Sequence, residues 1–139
     1  SEPVYREFLR LLRPPIHYAN EGKPIAYTKL QSRLCESTVG ARVKIRGLAG
    51  SGKTTVLAKR AVNAHKRHGE RVLILTYNLT LCMYIRDKIN EVREDFPWAK
   101  FEIINYHKFM MFALNSAGIN IEFEKETRRK ILLEYPRFL

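Results

Sequence analysis

Residues 47–54 have the composition of a loop that binds phosphate groups. They read Gly-Leu-Ala-Gly-Ser-Gly-Lys-Thr and meet the spacing G-x-x-x-x-G-K-[ST] through Gly47, Gly52, Lys53 and Thr54. Glycines allow the backbone to approach phosphates closely, and N–H groups at a helix start attract anions. Lys53 supplies an ammonium for the β- and γ-phosphates, and the Thr54 hydroxyl suits Mg²⁺. The pattern therefore predicts a site for a nucleoside triphosphate with Mg²⁺.

Hydrolysis requires more than a phosphate cradle. It needs a metal-ordering acid, a residue that positions water and usually an arginine. Asp87 lies inside a predicted helix and Asp95 lies in a polar turn, so neither follows a strand. Glu102 and Glu122 are also poorly placed. The sequence thus predicts nucleotide binding with little turnover, and Lys53 is the residue assigned a catalytic role.

The loop must lie between a strand and a helix for this chemistry. Residues 42–46 (Arg-Val-Lys-Ile-Arg) alternate in polarity and predict a strand. Residues 52–68 predict an amphipathic helix that ends at Gly69. Residues 71–76 form a continuous apolar run, which predicts a strand covered on both faces.

The other segments extend this alternation. Further helices are predicted over residues 2–12, 28–37, 79–94, 107–116 and 124–134, with a loop over 16–27 and a strand over 101–105. Strands that alternate with helices favour a parallel α/β sheet with right-handed crossovers. Ligands of such sheets bind at the carboxyl ends of the strands.

The composition favours a polyanionic partner. The 139 residues include 25 Lys+Arg against 14 Asp+Glu, a net charge of +11, which suits nucleic acid, although a solvated basic surface explains it equally well. No apolar run approaches the ~20 residues that a membrane span needs. Cys35 and Cys82 lie too far apart to suggest a metal site. These features predict a cytoplasmic protein without membrane contact.

Three segments together resemble a known family. They are residues 45–55 (Ile-Arg-Gly-Leu-Ala-Gly-Ser-Gly-Lys-Thr-Thr), residues 72–78 (Val-Leu-Ile-Leu-Thr-Tyr-Asn) and residues 105–109 (Asn-Tyr-His-Lys-Phe). They are similar to the P-loop, motif Ia and motif Ib of the first RecA-like motor domain of superfamily 1 helicases, the UvrD/Rep-type group. The resemblance covers about residues 28–112.

The resemblance implies an incomplete three-layer, RecA-like P-loop fold with a parallel sheet. It divides the chain into an N-terminal helix and loop (1–27), a partial nucleotide-binding domain (28–117) and the start of a helical insertion (118–139). The family's acid motif, arginine finger and second motor domain would lie beyond Leu139, so we expect a fragment of a helicase.

The resemblance also implies ligands and site residues. ATP and Mg²⁺ are the expected cofactors, with Thr54 as the metal ligand and Gln31 reading the adenine. The partners are single-stranded DNA, with RNA left open, and the remainder of the motor. Residues expected to contact ATP are Gly47, Ala49, Gly50, Ser51, Gly52, Lys53, Thr54, Thr55 and Gln31. Residues expected to contact nucleic acid are Thr76, Tyr77, Asn78, Tyr106 and His107.

Two other functions remain open at this point. A small P-loop phosphotransferase would need an acceptor-site Asp, and no Asp is suitably placed. A nucleic-acid-binding module with a vestigial P-loop would bind a single strand with a steep salt dependence and without a response to ATP.

Overall fold

The computed structural model describes residues 2–119, apart from the side chains of Leu9 and Arg10. The predicted helix over 124–134 lies outside the described residues. The chain divides into two compact units, residues 1–105 and residues 106–139. None of the helices in the described part is both long and apolar enough to cross a membrane.

The described part is a mixed α/β structure. Its elements are α1 (Glu2–Leu12), β1 (Ile16–His17), a 3₁₀ turn (Ala19–Glu21), α2 (Lys29–Cys35), α3 (Lys53–His68), β2 (Val72–Thr76), α4 (Leu79–Asn90), β3 (Phe96–Pro97), a second 3₁₀ turn (Trp98–Lys100), β4 (Phe101–Asn105) and α5 (Tyr106–Ser116). All the predicted helices within the described residues form. Helix α4 ends earlier than predicted, because the chain turns at Glu91 towards the buried residues that follow.

The helix ends follow from local chemistry. Thr28 begins α2 with a reciprocal pair of bonds: its hydroxyl accepts from the N–H of Gln31, and the Gln31 side chain accepts from the N–H of Thr28. Such a capping box satisfies two N–H groups that a helix start leaves unpaired. Gly69 ends α3 at φ 69°, where its N–H donates to the carbonyl of His65. A left-handed residue at this position favours glycine.

The first unit contains a small parallel sheet. Strands β2 and β4 pair from Val72 opposite Phe101 to Thr76 opposite Asn105. On one face, Val72 and Ile74 pack against the core. On the other face, Leu73 and Leu75 are 47% and 43% exposed. The prediction that this strand is covered on both faces is therefore wrong for the described residues.

The predicted strand over residues 42–46 does not form either. The backbone from 41 to 48 has no regular secondary structure. A strand needs a neighbour for its N–H and C=O groups. Within residues 2–119, β2 pairs with β4 and no strand pairs with 42–46. The prediction of a strand over residues 42–46 is therefore wrong for the described residues, because no neighbouring strand pairs with it there.

The core forms where α3 and α4 meet the sheet. Its buried residues are Ala58, Ala61, Val62, Ile89, Val92, Phe96, Trp98 and Phe101. Phe96 is 2% exposed, and its ring lies 4.6 Å from that of His17, 5.2 Å from Trp98 and 4.9 Å from Phe101 (centroid distances). Aromatic clusters of this kind contribute beyond their buried area.

The N-terminal segment is fixed to this core by polar contacts. Its predicted loop contains β1, which pairs antiparallel with β3. The buried His17 ring has Nε2 2.8 Å from the carbonyl oxygen of Asn90 and Nδ1 3.1 Å from that of Glu94. The N–H of Ala19 donates to Asp95. Sequence reasoning missed this role because a single histidine in a loop gives no periodic signal.

Candidate phosphate-binding site

The loop over residues 47–52 turns tightly at two glycines. Gly50 and Gly52 take φ values of 78° and 80°, in a region that side chains rarely adopt. The N–H of Ser51 donates to the carbonyl of Leu48 and closes a turn. Gly52 is the N-cap of α3, so the loop leads straight into a helix start. The predicted loop and helix are therefore contiguous, whereas the strand predicted before them does not form.

Close packing inside the loop explains its first glycine. A Cβ built on Gly47 would lie 2.6 Å from Ser51 Oγ, closer than two atoms can approach without a shift. Gly47, Ala49, Gly50 and Ser51 are all exposed. Gly47 and Ser51 thus pack closely against each other, while the loop residues remain exposed to solvent.

Lys53 folds back over its own loop. Its Nζ donates to the carbonyl oxygens of Gly47 and Leu48, each at 2.7 Å. The ammonium therefore lies above the turn, held by two neutral acceptors. Phosphate oxygens carry charge and accept stronger bonds than carbonyls do, so an anion in the loop competes favourably for the same ammonium.

The first turn of α3 adds further groups for an anion. The first N–H groups of a helix have no partners within it, and the first turn of α3 contains no acidic residue. Thr54 and Thr55 lie in this turn and are partly buried. Thr54 also lines an apolar cleft of about 400 Å³ with Leu57 of α3 and Leu73 of β2.

Gln31 contacts the loop from α2. Its Nε2 lies 3.3 Å from the carbonyl oxygen of Ser51, while its Oε1 accepts from the N–H of Thr28 at 2.9 Å. A Cβ on Gly52 would lie 3.0 Å from the same Nε2. Both ends of the Gln31 amide are therefore occupied, and the side chain links the start of α2 to the phosphate loop.

The residues after β2 divide into buried and exposed groups. Thr76 is 6% exposed; its hydroxyl donates to the carbonyl of Asn78 and lies 2.9 Å from Cys82 Sγ. Asn78 is the N-cap of α4, and its Oδ1 accepts from the N–H of Leu81. Tyr77, between them, is 51% exposed. Tyr77 thus presents its ring at the surface, and its neighbours fix the turn.

Tyr106 and His107 begin α5, in the second unit, directly after the end of β4. Both are exposed, and their ring centroids lie 5.9 Å apart. The aromatic pair predicted from motif Ib is therefore accessible at a helix start.

The acidic residues considered in the sequence analysis and described by the structure do not follow the carboxyl end of β2 or β4. Asp87 is within α4, Asp95 accepts from the N–H of Ala19, and Glu102 within β4 pairs with Arg71 at 3.2 Å. Across residues 2–119, no cluster of three metal-ligating side chains occurs. The assignment of Thr54 to Mg²⁺ stays a prediction.

Two cations of α4 have partners within the first unit. The Arg86 guanidinium lies 4.1 Å from the centroid of the Trp98 ring; burial lowers the pKa of Arg86, as does the nearby charge of Arg13. Lys88 pairs with Glu91 at 3.2 Å. The charge of α4 therefore stabilises the fold rather than forming a free basic face.

Glu94 forms ion pairs with two lysines of α3. Lys66 and Lys59 both pair with its carboxylate. The hydrogen bond from Lys66 is the largest influence on the Glu94 carboxyl and holds its pKa below the usual value of 4.5, with Lys59 acting in the same direction. The basic end of α3 is thus also largely committed to contacts inside the unit.

Comparison with known proteins gives one match. The family model described as UvrD/REP helicase N-terminal domain matches residues 28–133. No curated protein and no solved structure showed significant similarity to the chain. The matched range includes the phosphate loop, Gln31 and the residues after both sheet strands.

Proposed function

The chain belongs to the family of UvrD/REP helicase N-terminal domains, and on that premise we propose that it is the ATP-binding part of an ATP-dependent motor that moves along single-stranded nucleic acid. The family implies a nucleic-acid substrate and a motor that extends beyond the residues described. Single-stranded DNA is the proposed substrate, and ATP with Mg²⁺ the proposed cofactors.

One observation carries the nucleotide proposal: a loop with two left-handed glycines leads into the N-terminus of a helix that begins with Lys53 and Thr54. Its shape and its donors fit a triphosphate. The loop N–H groups would bind the phosphate oxygens, and Lys53 would exchange the carbonyls of Gly47 and Leu48 for the β- and γ-phosphates. Thr54 would hold Mg²⁺, which neutralises phosphate charge when bound.

We propose that Gln31 supports the phosphate loop in addition to recognising the adenine. Its contact with the Ser51 carbonyl supports the loop shape before nucleotide arrives. Nucleotide recognition by Gln31 would require this bond to be exchanged. The same side chain therefore couples the start of α2 to occupancy of the loop.

The nucleic-acid proposal depends on exposed rings after two strands. Tyr77, Tyr106 and His107 can stack on unpaired bases, a contact that tolerates any sequence. We assign Thr76 and Asn78 the role of fixing the turn that presents Tyr77, because the hydroxyl of Thr76 and the Oδ1 of Asn78 are engaged with nearby protein atoms.

Turnover requires groups that residues 2–119 do not bring to the loop. We propose that they come from the remainder of the motor, along with further strands of a RecA-like sheet. The uncovered apolar face at Leu73 and Leu75 supports this, because parallel sheets are normally covered on both faces. The chain alone is expected to bind ATP with little hydrolysis.

Titration of a fluorescent ATP analogue tests the phosphate site. The Lys53→Ala variant should bind about 10-fold to 100-fold more weakly, the range for losing a hydrogen bond to a charged group. Lys29→Ala, which removes an exposed lysine from the start of α2, is the matched control and should bind as the wild type does. Equal affinity of Lys53→Ala and wild type would reject the phosphate site.

Fluorescence anisotropy with a labelled oligo(dT) tests the strand contact. Tyr77→Ala should weaken binding by about 5-fold or more, the range for one lost stacking contact. Tyr18→Ala, at a similarly exposed tyrosine in the N-terminal segment, should not. Strand binding without any nucleotide binding would favour a vestigial P-loop. ADP production that depends on a small acceptor and not on a strand would favour a phosphotransferase.

A further inference from the structure

The N-terminal segment, residues 15–23, is bonded at both of its ends to the turn that follows α4 and to the residues after it. The N–H of Trp98 donates to the carbonyl of Pro15, and the N–H of Lys23 donates to the carbonyl of Glu91, both at 2.8 Å. Between these bonds, β1 pairs with β3. The segment is therefore docked by backbone contacts along its length.

His17 lies within this segment and is 2% exposed. Its Nε2 lies 2.8 Å from the carbonyl oxygen of Asn90, and its Nδ1 lies 3.1 Å from that of Glu94. A carbonyl oxygen can only accept a hydrogen bond, and a neutral imidazole has one N–H to donate. In the neutral form, one ring nitrogen would direct a lone pair towards a carbonyl oxygen. The imidazolium instead donates to both carbonyls.

The surroundings of the ring also favour a cation. Asn90 is the last residue of α4, and the carbonyls at the end of a helix carry the negative end of its dipole. On its other side, the His17 ring stacks on Phe96 with the centroids 4.6 Å apart and the planes 10° apart. The face of an aromatic ring attracts a positive charge. Two independent neighbours thus stabilise the imidazolium form.

Other charges around His17 stay constant over the range in which a histidine titrates. The charged residues on the N-terminal segment, on the turn after α4 and on the facing part of α3 are Glu21, Lys23, Glu91, Arg93, Glu94, Asp95, Lys59 and Lys66. Carboxylates, lysines and arginines ordinarily keep their charges between pH 5 and pH 8, whereas a histidine changes its charge there. A change of docking within that range would therefore point to the ring.

We infer that His17 holds the N-terminal segment on the end of α4 as an imidazolium, so that the segment docks at mildly acidic pH and loosens when the ring loses its second proton. Because the docked segment retains this proton, docking is strongest at low pH and weakens as the pH rises. Loosening would also uncover Phe96, on which the ring stacks. Residues 15–23 lie outside the range 28–133 that the family model matches, so this device goes beyond the proposed function.

Hydrogen exchange of backbone amides, measured by NMR at about pH 5.5 and about pH 8.5, brackets the titration range of histidine and tests the device. The amides of Trp98 and Lys23 report docking, since each donates across the contact. Protection factors remove the intrinsic effect of pH on exchange. In the wild type they should fall by about 10-fold or more at the higher pH, the range for losing a hydrogen bond to a charged group. Ring ¹⁵N spectra at the lower pH should show protons on both nitrogens of His17.

Three variants separate the pH response from docking itself. His17→Gln should give low protection that hardly changes with pH. His68→Gln is the matched control, because the His68 ring lies near one hydroxyl, that of Ser37, and the wild-type response should persist. Asp95→Asn weakens the acceptor for the N–H of Ala19, so docking should be looser at both pH values while the fall between them remains.

A docked segment with a single protonated ring nitrogen at about pH 5.5 would show that His17 is a neutral packing residue. Equal protection of the wild type at the two pH values would exclude the pH response. A response that survives in His17→Gln, or that disappears in His68→Gln, would assign it to another group.

Discussion

The aromatic core around Phe96 is buried and closely packed, whereas the phosphate loop and the residues before it, in the same unit, are exposed. Around Phe96, rings pack closely and His17 places both nitrogens near carbonyl oxygens. On the phosphate side, residues 42–52 are almost entirely exposed, and Lys53 bonds to its own loop. The difference teaches that stability is concentrated in the first region, which leaves the second free to exchange its contacts for a ligand.

The largest expected effect is in the core. Phe96→Ala should destabilise the chain by about 3 to 5 kcal/mol, the usual cost of truncating a buried aromatic residue. Urea unfolding followed by circular dichroism measures this effect. Phe8→Ala, at a residue that is 57% exposed on α1, should change stability by less than about 0.5 kcal/mol. Similar losses in the two variants would contradict the assignment of the core.

Substitutions of two glycines test whether a loss of stability can occur without a loss of ATP binding. Gly52→Ala and Gly69→Ala each force a side chain into a left-handed conformation, at φ 80° and 69°, which costs about 1 to 2 kcal/mol. We expect both to lower the unfolding midpoint. Only Gly52→Ala should also weaken ATP binding, because its Cβ meets the Gln31 side chain beside the loop. Loss of ATP binding in Gly69→Ala would show that the two regions are coupled.

Two substitutions of Gln31 distinguish its effect on fold stability from its effect on ATP binding. Gln31→Ala removes its side-chain half of the capping box and the bond to Ser51, so stability should fall by about 1 kcal/mol and ATP affinity should fall several-fold. Gln31→Glu retains the acceptor for the N–H of Thr28 but loses the donor to the Ser51 carbonyl. It should weaken ATP binding while leaving the unfolding midpoint close to that of the wild type. Wild-type ATP affinity in Gln31→Glu would remove the loop-supporting role.

The smallest effect concerns acid stability. The pKa of Glu94 is lowered in the folded chain, so its pairing stabilises the fold above about pH 4.5 and is lost as the pH falls through the lowered value. Glu94→Gln should be slightly less stable than wild type at pH 7, by under about 1 kcal/mol, because the pairs are partly exposed. The two stability curves should converge once the pH has fallen below the lowered pKa of Glu94. A constant difference at every pH would mean that packing, not charge, explains the loss.

The two regions were also predictable to different degrees. Helices α3 and α4 and the strands at 72–76 and 101–105 follow from periodicity, and Gly69 and Thr28 mark helix ends by local chemistry alone. The strand over 42–46 failed because strand formation depends on a neighbour, which its own residues cannot supply. The contacts of the His17 ring with the carbonyls of Asn90 and Glu94 join segments about 75 residues apart in the sequence. No local sequence pattern predicts such a contact.

In the candidate site, too, local features could be predicted from the sequence and tertiary contacts could not. Glycine spacing predicted the loop and its link to a helix, because both are local. The positions of Lys53 on the Gly47 and Leu48 carbonyls and of Gln31 on Ser51 could not be read from spacing. Thr76 was expected to touch nucleic acid from its motif, yet its buried hydroxyl bonds to the following turn. Burial depends on the tertiary packing of β2 against α4, which the motif does not state.

In the proposed function, nucleotide phosphates replace the loop's own contacts with Lys53 without disturbing the core. Backbone amide NMR spectra recorded with increasing Mg²⁺-ATP test it most directly. We expect the largest shifts at Gly50, Gly52, Lys53 and Thr54, with the amides of Ile89 and Phe96 unchanged. Shifts centred on the core, or no shifts in the loop at saturating nucleotide, would contradict it.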